Sequence, residues 1–380
     1  MKKLYFDYNA SAPAAEGLKD NLCRWLDYKN PSSSHEEGRA AKSAIEAARK
    51  RHLELFGTSP GDRLVFTSGG TEANNTIFRS AFHNRGTKTR LVLTNVEHSS
   101  VYNSAKALEK LGAVIDWIIV DSKGRIDLDE YRKKLGEDVF LVSVMLANNE
   151  TGFVLPVKEM AAIAREAGIS FHTDAVCATA KMSLSFSDLG VDYLTFSSHK
   201  FGALKGVGGI VMKKTAKLVP LIVGGPHEQE KRAGTENVPG ILSSAYALEK
   251  SCSNLASTLQ QMEMHRMMIK NEILRLYPAA VFIESATNLP QTLNVSFPGL
   301  AGNVLLANLD LEGVEASYGS ACASGALEVS RVMKSLALPM DQASAALRFS
   351  FGASMTEADV KDFLQRLALV LSRMSKESAA

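Results

Sequence analysis

From about residue 60 to residue 215, short apolar runs alternate with stretches of helical periodicity, and this alternation restricts the chain to an α/β architecture. Arg63-Leu-Val-Phe-Thr67, Arg90-Leu-Val-Leu-Thr94, 114–120 and 139–145 read as strands. Segments 72–84, 99–111 and 156–167 read as helices, the second stopped by Gly112 and the third bounded by Pro156 and Gly168. Segments 169–174, 191–197 and 209–212 are again strand-like. Strands joined by helices predict a largely parallel sheet covered on both faces, and such sheets collect ligands at the carboxyl ends of their strands.

A long helical stretch from about 239 to 276 leads away from this region. Beyond it come a strand at 291–297, helices near 303–311 and 325–337, an alternating strand at 347–351 and a helix at 356–374. This reads as a smaller α+β unit with its own core. With 380 residues, two domains are expected. The expected division is an N-terminal arm, 1–14, associated with the small domain, a large domain at 15–250 and a small domain at 251–380.

The bulk chemistry excludes several classes of function. Hydrophobic content of 46% with 22% charged residues is that of a globular protein. A net charge of +2 builds no field that would attract nucleic acid or anionic lipid. No apolar run approaches the ~20 residues that span a bilayer, and Asp7 interrupts the N-terminus before a signal sequence could form. A cytoplasmic location is therefore expected. Cys23, Cys177, Cys252 and Cys322 are scattered, without the spacing of a disulfide framework or metal site.

Two residues at strand ends carry the chemistry. Lys200 ends Val191-Asp-Tyr-Leu-Thr-Phe-Ser-Ser-His-Lys200, and Asp174 ends Ile169-Ser-Phe-His-Thr-Asp174. A lysine and an aspartate placed so are what pyridoxal phosphate requires: an amine to hold its aldehyde and a carboxylate to keep its ring nitrogen protonated. Thr67-Ser-Gly-Gly-Thr-Glu-Ala-Asn74 joins a strand to a helix and exposes backbone N–H groups to an anion. It is also how ordinary α/β proteins turn a corner, but it fits neither the dinucleotide nor the P-loop pattern. His98 follows another strand, where it can serve proton transfer or simply cap a helix. Asn148-Asn-Glu-Thr-Gly152 is turn-forming and offers amide donors. Arg348 shares one face of an alternating strand with Ser350, suiting a carboxylate clamp or a structural ion pair. Cys322 sits among small residues in Ser317-Tyr-Gly-Ser-Ala-Cys-Ala-Ser-Gly325, the composition of an accessible thiol loop or of a tight turn.

Taken in order, these motifs resemble the cysteine desulfurase family, fold-type I pyridoxal-phosphate enzymes of the class V aminotransferase group. The resemblance runs nearly the full length. It covers Tyr5-Phe-Asp-Tyr-Asn-Ala10, Asn30-Pro-Ser-Ser33, Thr67–Glu72, Glu97-His98 and Asn148-Asn-Glu150. It continues through His172-Thr-Asp174, Ser197–Lys200, Arg232-Ala-Gly-Thr235, Gly319–Cys322 and Arg348-Phe-Ser350.

The resemblance implies that Lys200 forms the Schiff base with the cofactor and moves protons, that Asp174 pairs the pyridine nitrogen and that His98 stacks on the ring. Gly70, Thr71, Ser197 and His199 would hold the phosphate, joined by Thr235 from the second subunit of a homodimer. Asn148 and Arg348 would bind the carboxylate of L-cysteine. Cys322 would take up the substrate's sulfur as a persulfide, leaving alanine, for a sulfur-acceptor protein in iron–sulfur cluster or thio-cofactor assembly. Three positions depart from the family pattern. Cys177 stands where glutamine usually donates to the cofactor's ring oxygen, and a thiol is a weaker donor. Tyr318 replaces a serine and Val329 a proline around the cysteine segment. Selenocysteine lyase, another class V lyase or transaminase, and a non-catalytic scaffold of the same fold are the alternatives; the last would not need Lys200, Asp174, His98, Cys322 and Arg348 together.

Overall fold

The computed structural model describes residues 2–318 and 329–377; Cys322 and the start of the helix expected at 325 lie outside the described residues. The chain begins with β1 (Leu4–Tyr5), α1 (Leu18–Leu26) and α2 (Glu36–Leu55). Next come β2 (Arg63–Thr67), α3 (Gly70–His83), β3 (Arg90–Thr94), α4 (Ser99–Glu109) and β4 (Val114–Ile118). Then follow α5 (Leu128–Lys134), β5 (Val139–Ser143), α6 (Val157–Glu166), β6 (Phe171–Asp174) and the short α7 (Phe186–Leu189). β7 (Tyr193–Ser197), a single 3-10 turn at Ser198–Phe201 and β8 (Gly208–Met212) complete the sheet.

The seven strands lie in the order β2-β8-β7-β6-β5-β3-β4. Every neighbouring pair is parallel except those made by β8, which runs against both β2 and β7. The chain therefore reverses directly from β7 into β8, and the loop carrying Lys200 makes the reversal. Apolar cores lie on both faces, one containing Val92, Val142, Leu194 and Phe196 and the other Leu91, Leu93, Leu141 and Ile210. This is the alternation of a strand buried on two sides. The sheet and its flanking helices match the architecture expected from the sequence.

The helix expected over 239–276 is two helices, α8 (Val238–Ser253) and α9 (Leu255–Leu276), broken at Asn254, whose φ of −127° and ψ of 31° are not helical. β9 (Val281–Phe282), β10 (Thr292–Ser296), α10 (Gly302–Leu311) and β11 (Val314–Glu315) follow. The chain ends with α11 (Arg331–Ser335), α12 (Met340–Ser344), β12 (Ala346–Ser350) and α13 (Glu357–Glu377). A second sheet, β12-β10-β9, is antiparallel. Its core unites Leu293, Val295, Leu347 and Phe349 with Ile269 of α9, Leu305 of α10 and Phe363 of α13. Leu4 and Phe6 belong to this core, and β1 pairs with β11. Val332, Met333 and Leu336, by contrast, pack in the core around the first sheet, so α11 returns to the strand ends. Tyr318 lies against the second core, its ring 2.7 Å from where a Cβ on Gly302 would stand.

β2 is an edge strand, and a buried ion pair closes its outer side. Arg49 of α2 makes a bidentate pair with Glu228 at 2.7 and 2.8 Å and donates to the Leu64 carbonyl at 2.8 Å. The same Glu228 carboxylate accepts the Phe66 N–H at 2.8 Å. Consecutive positive φ angles of 48°, 56° and 63° at Glu228, Gln229 and Glu230 turn the chain to bring that carboxylate inward.

Two interior histidines make stability depend on pH. His52 lies in the first core with Ser244 and the Ala48 carbonyl as partners at 2.8 Å, and His172 on β6 contacts Ser143 at 2.9 Å. Burial pushes both rings down to about 4 from their ordinary 6.5. Between those values the unfolded chain binds more protons, so stability is complete above pH 6.5 and falls as pH drops toward 4. At pH 5 each ring should cost about 2 kcal/mol relative to pH 7. Urea midpoints measured at both pH values, for the native chain and His52→Gln, test this: the variant should lose clearly less stability on acidification, and equal losses would contradict the assignment.

Candidate active site

The carboxyl ends of β3, β5, β6 and β7 surround a cavity of about 250 Å³, closed on one side by the second sheet and the N-terminal arm. Asp174, the last residue of β6, stands in its wall. One carboxylate oxygen accepts the Asn74 amide at 2.8 Å, and the other accepts the Val176 N–H at 2.9 Å. Asn74 is itself fixed from two further elements. It donates to the Ser100 hydroxyl and accepts from Thr195, each at 2.8 Å. Two donors aimed at one buried carboxylate leave it one geometry.

His98 is the N-cap of α4. Its Nδ1 accepts the Ser100 N–H at 3.1 Å, so the proton of the neutral ring sits on Nε2. Burial lowers its pKa, the charge of Asp174 opposes that shift and Lys200 adds to it. A neutral imidazole results.

Lys200 follows β7 in the 3-10 turn. Its Nζ donates to the carbonyls of Asn9 at 2.5 Å and Ala10 at 3.0 Å, so the amine is seated by the N-terminal arm. Asn9 holds this seat from several directions. Its Oδ1 accepts Lys181 at 3.1 Å, and its Nδ2 donates to the Asn149 carbonyl at 3.0 Å and to Thr292 at 2.9 Å. Burial lowers Lys181 to about 8, while the Cys177 sulfur opposes the shift and Lys200 and Arg348 assist it. A buried and a half-buried amine thus share one asparagine.

Gly69 and Gly70 start α3 without a side-chain cap, which leaves the first-turn N–H groups turned to the cavity with Gly70 and Thr71 at its wall. A Cβ on Gly70 would stand 2.7 Å from Val176, so only glycine lets the helix end approach this closely. Ser197 and His199 line the same end. Burial, and then the neighbouring Lys200, push His199 down to about 4. Cys177 lies in the wall as a buried free thiol.

On the opposite side, β12 presents Arg348. It donates to the Asn149 carbonyl at 3.0 Å and to Asp7 at 2.5 Å, and its buried Nε has no partner among the described residues. Glu97 and Glu150 bring two further carboxyls. Burial raises both, Glu97 to about 8. One Glu97 oxygen accepts Thr94 at 2.5 Å and the Met145 N–H at 2.9 Å, while Oε2 has no partner among the described residues.

The structure brings Gly70, Thr71, His98, Asp174, Cys177, Ser197, His199, Lys200 and Arg348 to one cavity. Asn148 does not join them. Its side chain is fully buried, donating to the Val96 carbonyl at 3.0 Å and accepting from the N–H groups of Glu150 and Thr151 at 2.9 Å. It ties the turn together, and Asn149 takes the wall position instead. Thr235 stands exposed beside a separate depression lined by Thr67, Ser68 and Arg232, outside the cavity of its own chain. Sequence reading missed Lys181 and Arg331, and met Asn9 and Asn149 only as members of motifs, without the places the fold gives them. The motif Tyr5–Ala10 did flag the arm, but only the fold shows that its carbonyls hold the lysine.

This site, on this sheet, defines a class: residues 4–363 match the family described as aminotransferase class-V, and the chain belongs to it. Its relatives are more specific. It is 37% identical over 377 residues, 98% of this chain and 95% of the relative, to the cysteine desulfurase IscS of Dictyoglomus turgidum. Among solved structures it resembles a NifS-like protein with a TM-score of 0.92 and 33% identity, over 98% of this chain and 100% of the other. It also resembles SspA, solved in complex with cysteine, with a TM-score of 0.82 and 29% identity, over 93% of this chain and 100% of the other.

Proposed function

We propose that this protein is a pyridoxal-phosphate-dependent cysteine desulfurase, converting L-cysteine to L-alanine and collecting the sulfur as a persulfide on Cys322. The observation that carries this reading is the meeting of Lys200, Asp174 and the open N-terminus of α3 at one end of the sheet. That donor set fits the cofactor. Lys200 would hold its aldehyde, Asp174 its ring nitrogen, and the α3 N-terminus with Ser197 and His199 its phosphate; the narrow approach at Gly70 leaves room for that anion. When bound, pyridoxal phosphate supplies an electron sink for the bonds at the substrate's α-carbon.

The chain's own groups account for the rest. Arg348 offers a guanidinium for the substrate's carboxylate, positioned by Asp7 and the Asn149 carbonyl. His98 presents its Nε2–H to the cavity, and the Lys200 amine can carry a proton once released. In the sulfur step, the Cys322 thiolate attacks the substrate's sulfur: an S–S bond forms, the C–S bond breaks and its electron pair stays on the β-carbon. That carbon takes a proton and becomes the methyl group of alanine, while sulfur leaves at the S⁰ level.

We further infer a homodimer. Leu221, Ile222 and Val223 are consecutive apolar residues exposed at 41%, 39% and 78%, next to the loop that carries Thr235 out of its own cavity. A second subunit covering that run would also bring its Thr235 toward this site. A sulfur-acceptor protein of iron–sulfur cluster or thio-cofactor assembly and a cytoplasmic location complete the reading. Among the described residues no helix is long and apolar enough to cross a membrane.

The test measures sulfide and alanine released from L-cysteine with dithiothreitol, comparing the native chain with Cys322→Ala. Equimolar products, lost in the variant, are expected. Unchanged turnover in Cys322→Ala would exclude the persulfide route. An inert native protein with cofactor bound would exclude unaided desulfuration.

A further inference from the structure

The cavity holds a cation that the proposed chemistry has not used. Arg331, the first residue of α11, lies in its wall. Its NH1 donates to the Asn95 carbonyl at 2.6 Å and its NH2 to the Glu97 carbonyl, while the guanidinium carbon stands 4.4 Å from the centre of the Tyr102 ring. Tyr102 stacks in turn on Trp117. These contacts fix the plane of the guanidinium by neutral groups alone. Among the described residues no carboxylate oxygen lies within ion-pair distance of it, whereas Arg348 is already paired with Asp7. Two hydrogen bonds use two of its five N–H groups, leaving three for a ligand.

Glu97 and Glu150 act on this charge only from beyond ion-pair distance, and burial, the largest influence on each acid, works against their ionised forms. Glu150 accepts Ser330 rather than Arg331. A partly buried, oriented and unpaired guanidinium is costly to keep unless an anion visits it.

We propose that Arg331 is a specificity-determining residue, forming a second anion seat that recognises a negatively charged group on the β-carbon of an amino-acid substrate. The inference rests on the proposed function, in which Arg348 takes the α-carboxylate. One guanidinium then reads the carboxylate, and the other reads the ionised sulfur or oxidised sulfur group beyond it. Amino acids with a neutral β-substituent gain nothing from the second seat.

Binding of two probes to the cofactor-loaded protein by calorimetry tests this. L-Cysteate carries a sulfonate on its β-carbon, and L-alanine carries none. Arg331→Gln keeps an amide donor for the Asn95 and Glu97 carbonyls but loses the charge, whereas Arg331→Lys keeps the charge. The native protein should prefer L-cysteate. Arg331→Gln should weaken L-cysteate at least about tenfold while leaving L-alanine within about twofold, and Arg331→Lys should retain most of the preference. A native preference preserved in Arg331→Gln would overturn the proposal, as would equal losses for both probes in both variants, the signature of a purely structural anchor. Calorimetry does not depend on turnover. A protein that fails to desulfurate cysteine but keeps a charge-dependent preference would refute the proposed reaction and leave the anion seat standing.

Discussion

Lys200→Ala is expected to lose the yellow absorption of bound cofactor and to lower turnover of L-cysteine by at least ~10³-fold. The large effect follows from how the amine is held. Nζ is seated by the carbonyls of Asn9 and Ala10, and the turn that carries it ends at Gly202, where φ is 90°. Alanine removes the nucleophile and leaves this backbone intact, so the variant should fold with nearly native secondary structure. Lys200→Arg makes the sharper comparison, because it keeps the positive charge and removes the nucleophilic amine; it should fail to the same degree. Absorbance spectra and single-turnover alanine formation decide the matter. A retained absorption band would mean that another amine holds the aldehyde. Lys181, which shares Asn9 and is lowered to about 8 by burial, would then be the residue to replace next.

The second large effect concerns stability. Glu228→Ala should destabilise the protein by about 3 kcal/mol, because it strips Arg49 of its buried counter-charge, leaving only the exposed Glu46 at 3.2 Å, and leaves the Phe66 N–H of an edge strand unpaired. The positive φ angles at Glu228, Gln229 and Glu230 would also lose the contact that holds them. Arg49→Met should cost a similar amount. The double variant should cost much less than the sum, since neither charge is then stranded. Urea unfolding of the four proteins yields the coupling energy. Additive losses would mean that the pair does not act as a unit. The damage should spread to the neighbouring depression, where Thr235 stands on the same loop.

The central sheet was legible because its strands are apolar runs short enough to cross a domain and bounded by glycine, proline or polar turns. Strand direction was not. Gly209-Ile-Val-Met212 reads identically whether it runs with or against β7, and only the short connection after Lys200 forces the reversal. The break at Asn254 was hidden for a similar reason. Apolar residues continue at helical spacing on both sides of it, and one asparagine is tolerated inside a helix. At the site, residues at strand ends were readable because the fold class sends them to one edge. Asp174 and Lys200 needed no more than that. Asn148 and Asn149 are the contrary case: two identical neighbours in a turn, of which burial takes one for structure and leaves the other at the cavity. Arg331 had no signal of its own, because its meaning depends on the absence of a carboxylate partner in space.

The seat of Lys200 also fixes when in its life the protein can become competent. Asn9 leaves the ribosome long before its partners, since its N–H is held by the Ser350 hydroxyl and its side chain by Thr292. β1 likewise waits for β11. A nascent chain that has completed its entire first sheet still lacks the partners that position the arm under the lysine. Synthesis must pass Ser350 before that lysine is seated. Seating of the lysine is therefore a late event in synthesis, which a product terminated before Ser350 does not reach.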